Sequence, residues 1–454
     1  MKIIIEGAGE VGSHLAKMLS HEANDITVID EDAARIARLA GSADVVTLQG
    51  DPSSISVLRE AGAETADLLV AVNPYVPQAV NIISALLAKR LGTKRVTARI
   101  DDLAYLSPEN KLMFKDMGVD LLFYPEKIAC DEITDLLKHT ASADSMDFAR
   151  GKLQLVVFKV EEDSPILDMK VAEFTAAVAA VDADAPFRII AIARRDETII
   201  PKFDTRFKYM DHLYIMSKRE GIASLMRFLG KNNVEVGSAM ILGGGQIGGM
   251  LAAQLARQID DIKLIEIDRK RCLELAEKLP DTVTVVCGDG RNPDFLVEEA
   301  IKEYDAFVAV TGNDEANILS CVVAKKFGIE RTVAEVENIE YLRLAEEMGV
   351  DAVINKKLIT AGRIFKFTLS DKVRFVKYMS GTDAEVLEYT AAPDSRITRG
   401  TLKDLDFPRN AIIGGVIRGG DSFIAVGNTR IEPYDRVAVF ALPEAVKEVD
   451  KFFK

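Results

Sequence analysis

The sequence predicts an α/β chain built by tandem duplication: two doubly wound parallel-sheet domains, each followed by a small α/β domain. Three observations carry that expectation. A glycine-rich turn occurs twice, as GAGEVG from Gly7 to Gly12 and as GGGQIG from Gly243 to Gly248. Each turn joins a short apolar strand to a helical pattern, and the strand that follows ends in a carboxylate, Asp30 or Glu266. One interval recurs along the chain: Gly7, Gly9 and Gly12 return 236 positions later, as do Asp25 (Asp261), Asp30 (Glu266), Arg35 (Arg271) and Asn81 (Asn317). Between them Gly50-Asp51 recurs 238 positions later as Gly288-Asp289, so two residues are inserted and later removed. A repeat this long is a domain duplication rather than a solenoid array.

In the first copy the strand Ile3 to Ile5 runs into Gly7, and Val11, Leu15, Met18 and Leu19 continue as a helix. That strand-turn-helix context gives GxGxxG its meaning. Gly7 permits the tight bend, Gly9 lets the backbone approach a pyrophosphate, and Gly12 allows helix and strand to pack closely, with the helix N-terminus facing the anion. The domain is Rossmann-like. The strand Ile26 to Ile29 delivers Asp30 where it can accept hydrogen bonds from ribose hydroxyls and repel a 2′-phosphate, which favours an NAD-like over an NADP-like ligand. The plainer role for Asp30 is to cap the helix from Asp32 to Leu39.

Further strands are expected at Val45 to Leu48, Leu68 to Val72, Arg95 to Ile100 and Val119 to Phe123, with helices of 3.6 period between them. Loops that follow parallel strands line the ligand crevice, which places Asp51, Asn73 and Arg99 there. Asp51 has two readings, an adenine-side contact or a solvated loop acid. Arg99 is either a phosphate donor or half of a surface ion pair. The helix from Glu126 to about His139 carries Ile128, Ile133, Leu136 and Leu137 on one side, a stripe that either closes its own domain or crosses to another.

From Lys152 the pattern changes to the short strands Leu153 to Val160, Ile189 to Ala193 and Leu213 to Met216, with a helix near Val171 to Val178 and no phosphate loop. Residues Leu229 to Asn233 suit a linker. In the second half Asp289 follows Gly288, and the loop Thr311 to Asn317 follows the strand Ala306 to Val310. The second small domain begins near Tyr378, where an interval of 224 carries Arg194 onto Arg418, Thr205 onto Thr429, Arg206 onto Arg430 and Asp211 onto Asp435. At 454 residues the length alone suggests about three domains, and the repeat argues for four: 1–140, 141–231, 236–370 and 371–454.

Composition narrows the partners. A net charge of -14 argues against nucleic acid and anionic bilayers, both of which reward clustered Lys and Arg. The four cysteines form no CxxC pair and no metal-ligand spacing with the four histidines, and read as buried free thiols in a reducing compartment. Met1-Lys2 leads directly into a strand, and no apolar run approaches the roughly 20 residues that cross a bilayer, so a cytoplasmic location is expected.

Two tandem units of this kind resemble the regulator-of-potassium-conductance (RCK) modules, in the membrane-free two-module form of the regulatory subunits of Trk-type potassium uptake systems. The resemblance spans essentially the whole chain and rests on Gly7, Gly9, Gly12, Asp30, Gly50-Asp51, Arg99, Gly243, Gly245, Gly248, Glu266, Gly288-Asp289 and the loop Thr311 to Asn317. It implies a homotetrameric ring that binds NAD(H), or ATP and ADP, and gates an integral membrane potassium transporter subunit from the inner face of the membrane. The implied nucleotide contacts are Gly7, Ala8, Gly9, Glu10, Val11, Gly12, Asp30, Glu31, Asp51, Asn73 and Arg99, then Gly243, Gly245, Gln246, Ile247, Gly248, Glu266, Asp289 and Thr311. Two departures mark the copies as unequal. The first has Asn73 to Gln78 where the second has the Thr311 loop, and Arg99 becomes Glu335, so phosphate is expected to be held better in the first.

The rival expectation is an NAD-dependent dehydrogenase whose small domain binds substrate. Hydride transfer needs an acid or base beside the carbonyl, commonly His with an orienting carboxylate. His14 and His21 lie in or just after the first helix, and His139 ends the crossover helix. Only His212 lies in a small domain, where it reads as a surface residue beside a turn, and its counterpart is Arg436. No catalytic constellation is duplicated.

Overall fold

The computed structural model describes residues 1–20, 24–138, 144–148, 152–181, 186–195, 197–229, 236–365, 373–378 and 384–454. His21, His139 and most of the expected linker at Leu229 to Asn233 lie outside them.

The first Rossmann-like domain alternates strictly: β1 (Lys2–Glu6), α1 (Glu10–Ser20), β2 (Asp25–Asp30), α2 (Ala33–Ala40), β3 (Val46–Gln49), α3 (Ile55–Glu60), β4 (Leu68–Ala71), α4 (Gln78–Leu91), β5 (Arg95–Arg99), α5 (Pro108–Met117) and β6 (Leu121–Phe123). The six strands are parallel in the order β3-β2-β1-β4-β5-β6, and the order reverses beside β1, directly under the glycine turn. Ligand crevices of such sheets open at that switch point. Strands β1 and β4 are buried on both faces, which is why they read as continuous apolar runs.

After α6 (Pro125–Lys138), the first small domain contains β7 (Asp144–Phe148), β8 (Leu153–Lys159), α7 (Val171–Val181), β9 (Phe187–Arg194), β10 (Glu197–Ile199), β11 (His212–Lys218) and α8 (Arg219–Phe228). Its sheet is antiparallel, in the order β10-β9-β11-β8-β7. Strand β11 is central, so His212 is buried and 3.7 Å from Glu346 rather than at the surface as the turn beside it suggested.

The second copy repeats the scheme with β12 (Ser238–Leu242), α9 (Gln246–Leu255), β13 (Asp261–Glu266), α10 (Arg269–Lys278), β14 (Val283–Cys287), α11 (Pro293–Glu298), β15 (Ala306–Ala309), α12 (Asp314–Lys326), β16 (Arg331–Glu335), α13 (Glu340–Glu347) and β17 (Ala352–Ile354). The parallel order β14-β13-β12-β15-β16-β17 matches the first sheet strand for strand. Then follow α14 (Lys356–Phe365), β18 (Val373–Tyr378), β19 (Glu385–Thr390), β20 (Ala411–Arg418), β21 (Asp421–Ile424), β22 (Arg436–Ala441) and α15 (Pro443–Phe453), whose five strands form a second antiparallel sheet. No helix among the described residues is long and apolar enough to cross a membrane.

The chain divides into two compact units that do not follow the repeat: residues 1–128 with 356–370, and 129–355 with 371–454. In the first unit α14, which comes from the second copy, packs along α1, and Lys357 Nζ pairs with Glu10 at 2.8 Å. In the second unit α6, from Ala129 onward, meets α9: Gln254 Nε2 donates to Thr134 Oγ1 at 2.9 Å and to Asp131 at 3.2 Å. Helix α6 therefore reaches the second copy through these polar contacts. The second unit also holds both antiparallel sheets in one core, where Leu155, Tyr214 and Met216 pack with Val386, Ala438 and Phe440. Each small domain carries the same polar staple. Arg194 clamps the buried Asp211 with two bonds of 2.8 Å, and Arg418 holds the buried Asp435 at 2.7 Å. Arg194 and Asp211, and their counterparts at 224, thus have a structural role.

Candidate nucleotide-binding site

Each glycine turn is shaped as the sequence requires. Gly7 and Gly243 adopt φ of +104° and +107°, open to glycine at little steric cost. A Cβ on Gly12 would lie 1.9 Å from the Gly7 carbonyl oxygen, and one on Gly248 would lie 1.8 Å from that of Gly243. Those contacts let α1 and α9 start directly against the strand ends, with their free N–H groups over the crevice. Ala8, Val11 and Ile247 are buried beneath the turns, while Glu10 and Gln246 at the helix starts are exposed.

The distal acids bind the turns themselves. The Ala8 N–H donates to Asp30 Oδ2 at 2.7 Å and the Asp32 N–H to Oδ1 at 2.8 Å. In the second copy the Gly244 N–H donates to Glu266 Oε2 at 2.7 Å and the Asp268 N–H to Oε1 at 2.8 Å. Glu266 reaches the same two backbone positions despite its extra methylene. A carboxylate has about four acceptor sites, so after two backbone bonds each acid keeps capacity for ribose hydroxyls. The cap of the following helix belongs to Asp32 rather than Asp30: Asp32 accepts from the Ala34 and Arg35 N–H groups.

The remaining candidates sit at or just after the C-terminal ends of the parallel strands. Asn73 and Arg99 line one cleft, together with Pro74, Gln78, Asn81 and Asp101. The Arg99 guanidinium pairs with Glu126 at 3.3 Å. Asp51 is exposed and accepts from the Ser53 N–H and hydroxyl, while Asp289 is gripped by Arg291 at 2.8 Å through both oxygens. That side-chain hydrogen bond holds the Asp289 carboxyl below its ordinary range. Glu31 is exposed, and its carbonyl accepts from Gln49. Glu335 is buried at the end of β16.

Three features escaped the sequence reading. Asn81 and Asn317 pin the loops after β4 and β15. Asn81 accepts from the Asn73 N–H at 3.2 Å and donates to its carbonyl at 3.0 Å, and Asn317 does the same to Thr311 at 3.0 Å and 3.0 Å. Their place on the 236-residue interval was the available signal. Secondly, Tyr75 lies over the first turn, its ring stacked 3.6 Å from the Arg35 guanidinium, which also reaches Asp30 at 3.5 Å. A Cβ on Gly9 would be 3.3 Å from that ring, whereas a Cβ on Gly245 would meet nothing within 4 Å among the described residues. Arg271 instead donates to the Gly244 carbonyl.

The third is Glu6, the last residue of β1, which occupies the place of Leu242. It is fully buried, and among the described residues neither carboxyl oxygen has a hydrogen-bond partner. Burial pushes its pKa up to about 8; the Ser84 hydroxyl opposes the rise, and Asp51 and Asp30 add to it. Glu6 is therefore mostly the neutral acid at pH 7.

The TrkA-N domain family matches residues 3–125 and 239–356, and the TrkA-C domain family matches 155–230 and 386–454. The chain is 32% identical over 463 residues to the Trk system potassium uptake protein TrkA homolog 1 of Methanosarcina mazei, covering all of both chains. It is 32% identical over 459 residues to the Trk system potassium uptake protein TrkA of Halomonas elongata, covering all of this chain and 99% of that one. Among solved structures, the GsuK RCK domain superposes with a TM-score of 0.60 at 17% identity, over 99% of this chain and 94% of that one. The GsuK channel bound to NAD gives 0.60 at 17% identity, over 99% and 78%. With both domain types present twice in the order of the repeat, the chain belongs to the TrkA family of Trk-system potassium uptake proteins, built of tandem RCK modules.

Proposed function

We propose that this chain is a nucleotide-responsive regulatory subunit, binding NAD(H) or an adenine nucleotide in the Rossmann-like domains and gating an integral membrane potassium transporter. The observation that carries the reading is the duplicated acid-turn contact, 2.7 Å from Asp30 to the Ala8 N–H and 2.7 Å from Glu266 to the Gly244 N–H. It joins the ribose acceptor to the pyrophosphate turn in one rigid piece at both switch points. The full-length relatives named for Trk potassium uptake and the NAD-bound GsuK channel support the assignment. We place it in the cytoplasm as a homotetramer, attached to the membrane through that transporter.

The role is regulatory rather than enzymatic. His212, the histidine of the small domains, sits in the centre of a sheet beside Glu346, away from either glycine turn in sequence and without a counterpart in the repeat. A ligand with different affinities for two conformations shifts their balance without being consumed. Calorimetric titration of the full chain with NADH, ATP and ADP tests the proposal. Saturable binding that Asp30→Ala and Glu266→Ala each weaken is expected. Absence of binding, or sustained oxidation of NADH by added small carbonyl compounds, contradicts it.

A further inference from the structure

The second crevice carries two thiols that the first lacks. Cys287 ends β14 and is exposed, whereas Cys272 is buried in α10. Strand pairing sets Cys287 directly beside Glu266, and the connection after Glu266 turns back so that α10 brings Cys272 to the same place. The Cys272 Sγ lies 3.3 Å from the Glu266 carbonyl oxygen, and the Cys287 Sγ lies 3.9 Å from the next carbonyl, that of Ile267. Two sulfurs thus rest on consecutive carbonyls of one short connection. Burial, then the contact with Cys287, raises the Cys272 thiol to about 11. The corresponding residues of the first copy are Ile36 and Gln49, so the pair belongs to one crevice alone.

We propose that Cys272 and Cys287 are a reversible dithiol–disulfide site at the Glu266 edge of the second crevice, taking a small peroxide as its two-electron oxidant. The exposed Cys287 reacts first. As thiolate its sulfur attacks one peroxide oxygen, the O–O bond breaks, and the departing hydroxide takes up a proton to leave as water. Cys287 is then a sulfenic acid. The Cys272 sulfur attacks the Cys287 sulfur, the S–O bond breaks, and the Cys272 proton leaves with the hydroxide as a second water. Two thiols and one peroxide yield one disulfide and two waters. The bond would tie the start of α10 to the end of β14 around Glu266.

The chain contains its own controls. Cys130 is buried with its sulfur 3.5 Å from Gln254, and Cys321 is buried with its sulfur 3.4 Å from the Val333 carbonyl. The test is to treat the reduced full chain with equimolar hydrogen peroxide, block free thiols, and map peptides without reduction. No nucleotide is present, so the result is independent of what the crevice binds. Expected is an intramolecular Cys272–Cys287 link that dithiothreitol reverses, with Cys130 and Cys321 still alkylated. Cys272→Ser should halt the reaction at a Cys287 sulfenic acid trapped by dimedone, giving a several-fold higher yield of adduct than the wild-type chain. Over-oxidation of Cys287 with Cys272 still alkylated, or a link between two chains in place of the internal one, would overturn the proposal.

Discussion

The Tyr75 ring lies 3.6 Å from the Arg35 guanidinium, and through Arg35 it closes over the carboxylate of Asp30 at the first glycine turn. Among the described residues the second copy has no such cover, and Gly245 is open. In the proposed function a pyrophosphate at Gly9 displaces the Tyr75 ring, losing a stacked cation worth about 0.5–1 kcal/mol where exposed. Tyr75→Ala in a Glu266→Ala background should therefore tighten NADH binding at the first site by roughly 2- to 5-fold. Weaker binding in that titration would mean that the ring stacks on the ligand instead. The asymmetry expected from Arg99 and Glu335 thus acquires an opposing component in this loop.

Asp30 organises the turn through the Ala8 and Asp32 N–H groups, and in the proposed function it also accepts from a ribose. Asp30→Ala should weaken nucleotide binding at the first site by roughly 1–3 kcal/mol, the scale of a lost charged hydrogen bond. Asp30→Asn keeps one acceptor oxygen and should lose less. Equal affinities of the two variants and the wild-type chain, measured by calorimetry, would remove Asp30 from the site.

Glu6 makes stability depend on pH in an unusual direction. Its pKa is about 8 in the folded chain against an ordinary 4.5. Below 4.5 both states hold the proton; between 4.5 and 8 the folded state holds one that the unfolded chain has lost, so stability falls as pH rises. Above 8 this loss is complete. The contribution lost between pH 5 and 8 is on the order of 4 kcal/mol as an upper bound. Glu6→Leu, which copies Leu242, should abolish that slope and raise the thermal midpoint most at pH 8. An unchanged slope in the variant would place the titrating group elsewhere.

The helix-strand contacts at the two turns leave no room for a methyl group. Gly12→Ala would press its Cβ to 1.9 Å from the Gly7 oxygen and Gly248→Ala to 1.8 Å from that of Gly243. Each should cost about 3 kcal/mol, the upper end of overpacking, and weaken nucleotide binding at its own turn. Chemical denaturation of the two variants reads the cost directly.

How much of this was legible follows from what each residue's role depends on. The turns, both acids and the parallel doubly wound sheet were readable because a phosphate-binding backbone demands particular residue types at fixed spacing, and the duplication displayed the demand twice. Asn81 and Asn317 sat on the same interval, but their task is to grip a neighbouring loop, which spacing does not express. The α6 stripe showed that one face is buried without showing what the helix meets; Gln254 of α9, about 120 residues away, bonds to Thr134. Glu6 was hidden because a single carboxylate at the end of an apolar run reads as the edge of the strand. Its burial is visible only when α4 is laid over it and brings Ser84 close. Tyr75 depends on the path of a loop containing Pro74 and Pro77, which no periodicity fixes.

The most direct test of the central claim is rubidium tracer uptake in cells lacking this gene but retaining the transporter, complemented with the wild-type chain or with the Asp30→Ala, Glu266→Ala double variant. The wild-type chain should restore uptake that follows the cellular NADH or ATP level, whereas the double variant, produced at equal amount, should leave uptake low or insensitive to nucleotide. Uptake that is identical with either chain, or unaffected by the absence of both, would contradict the assignment.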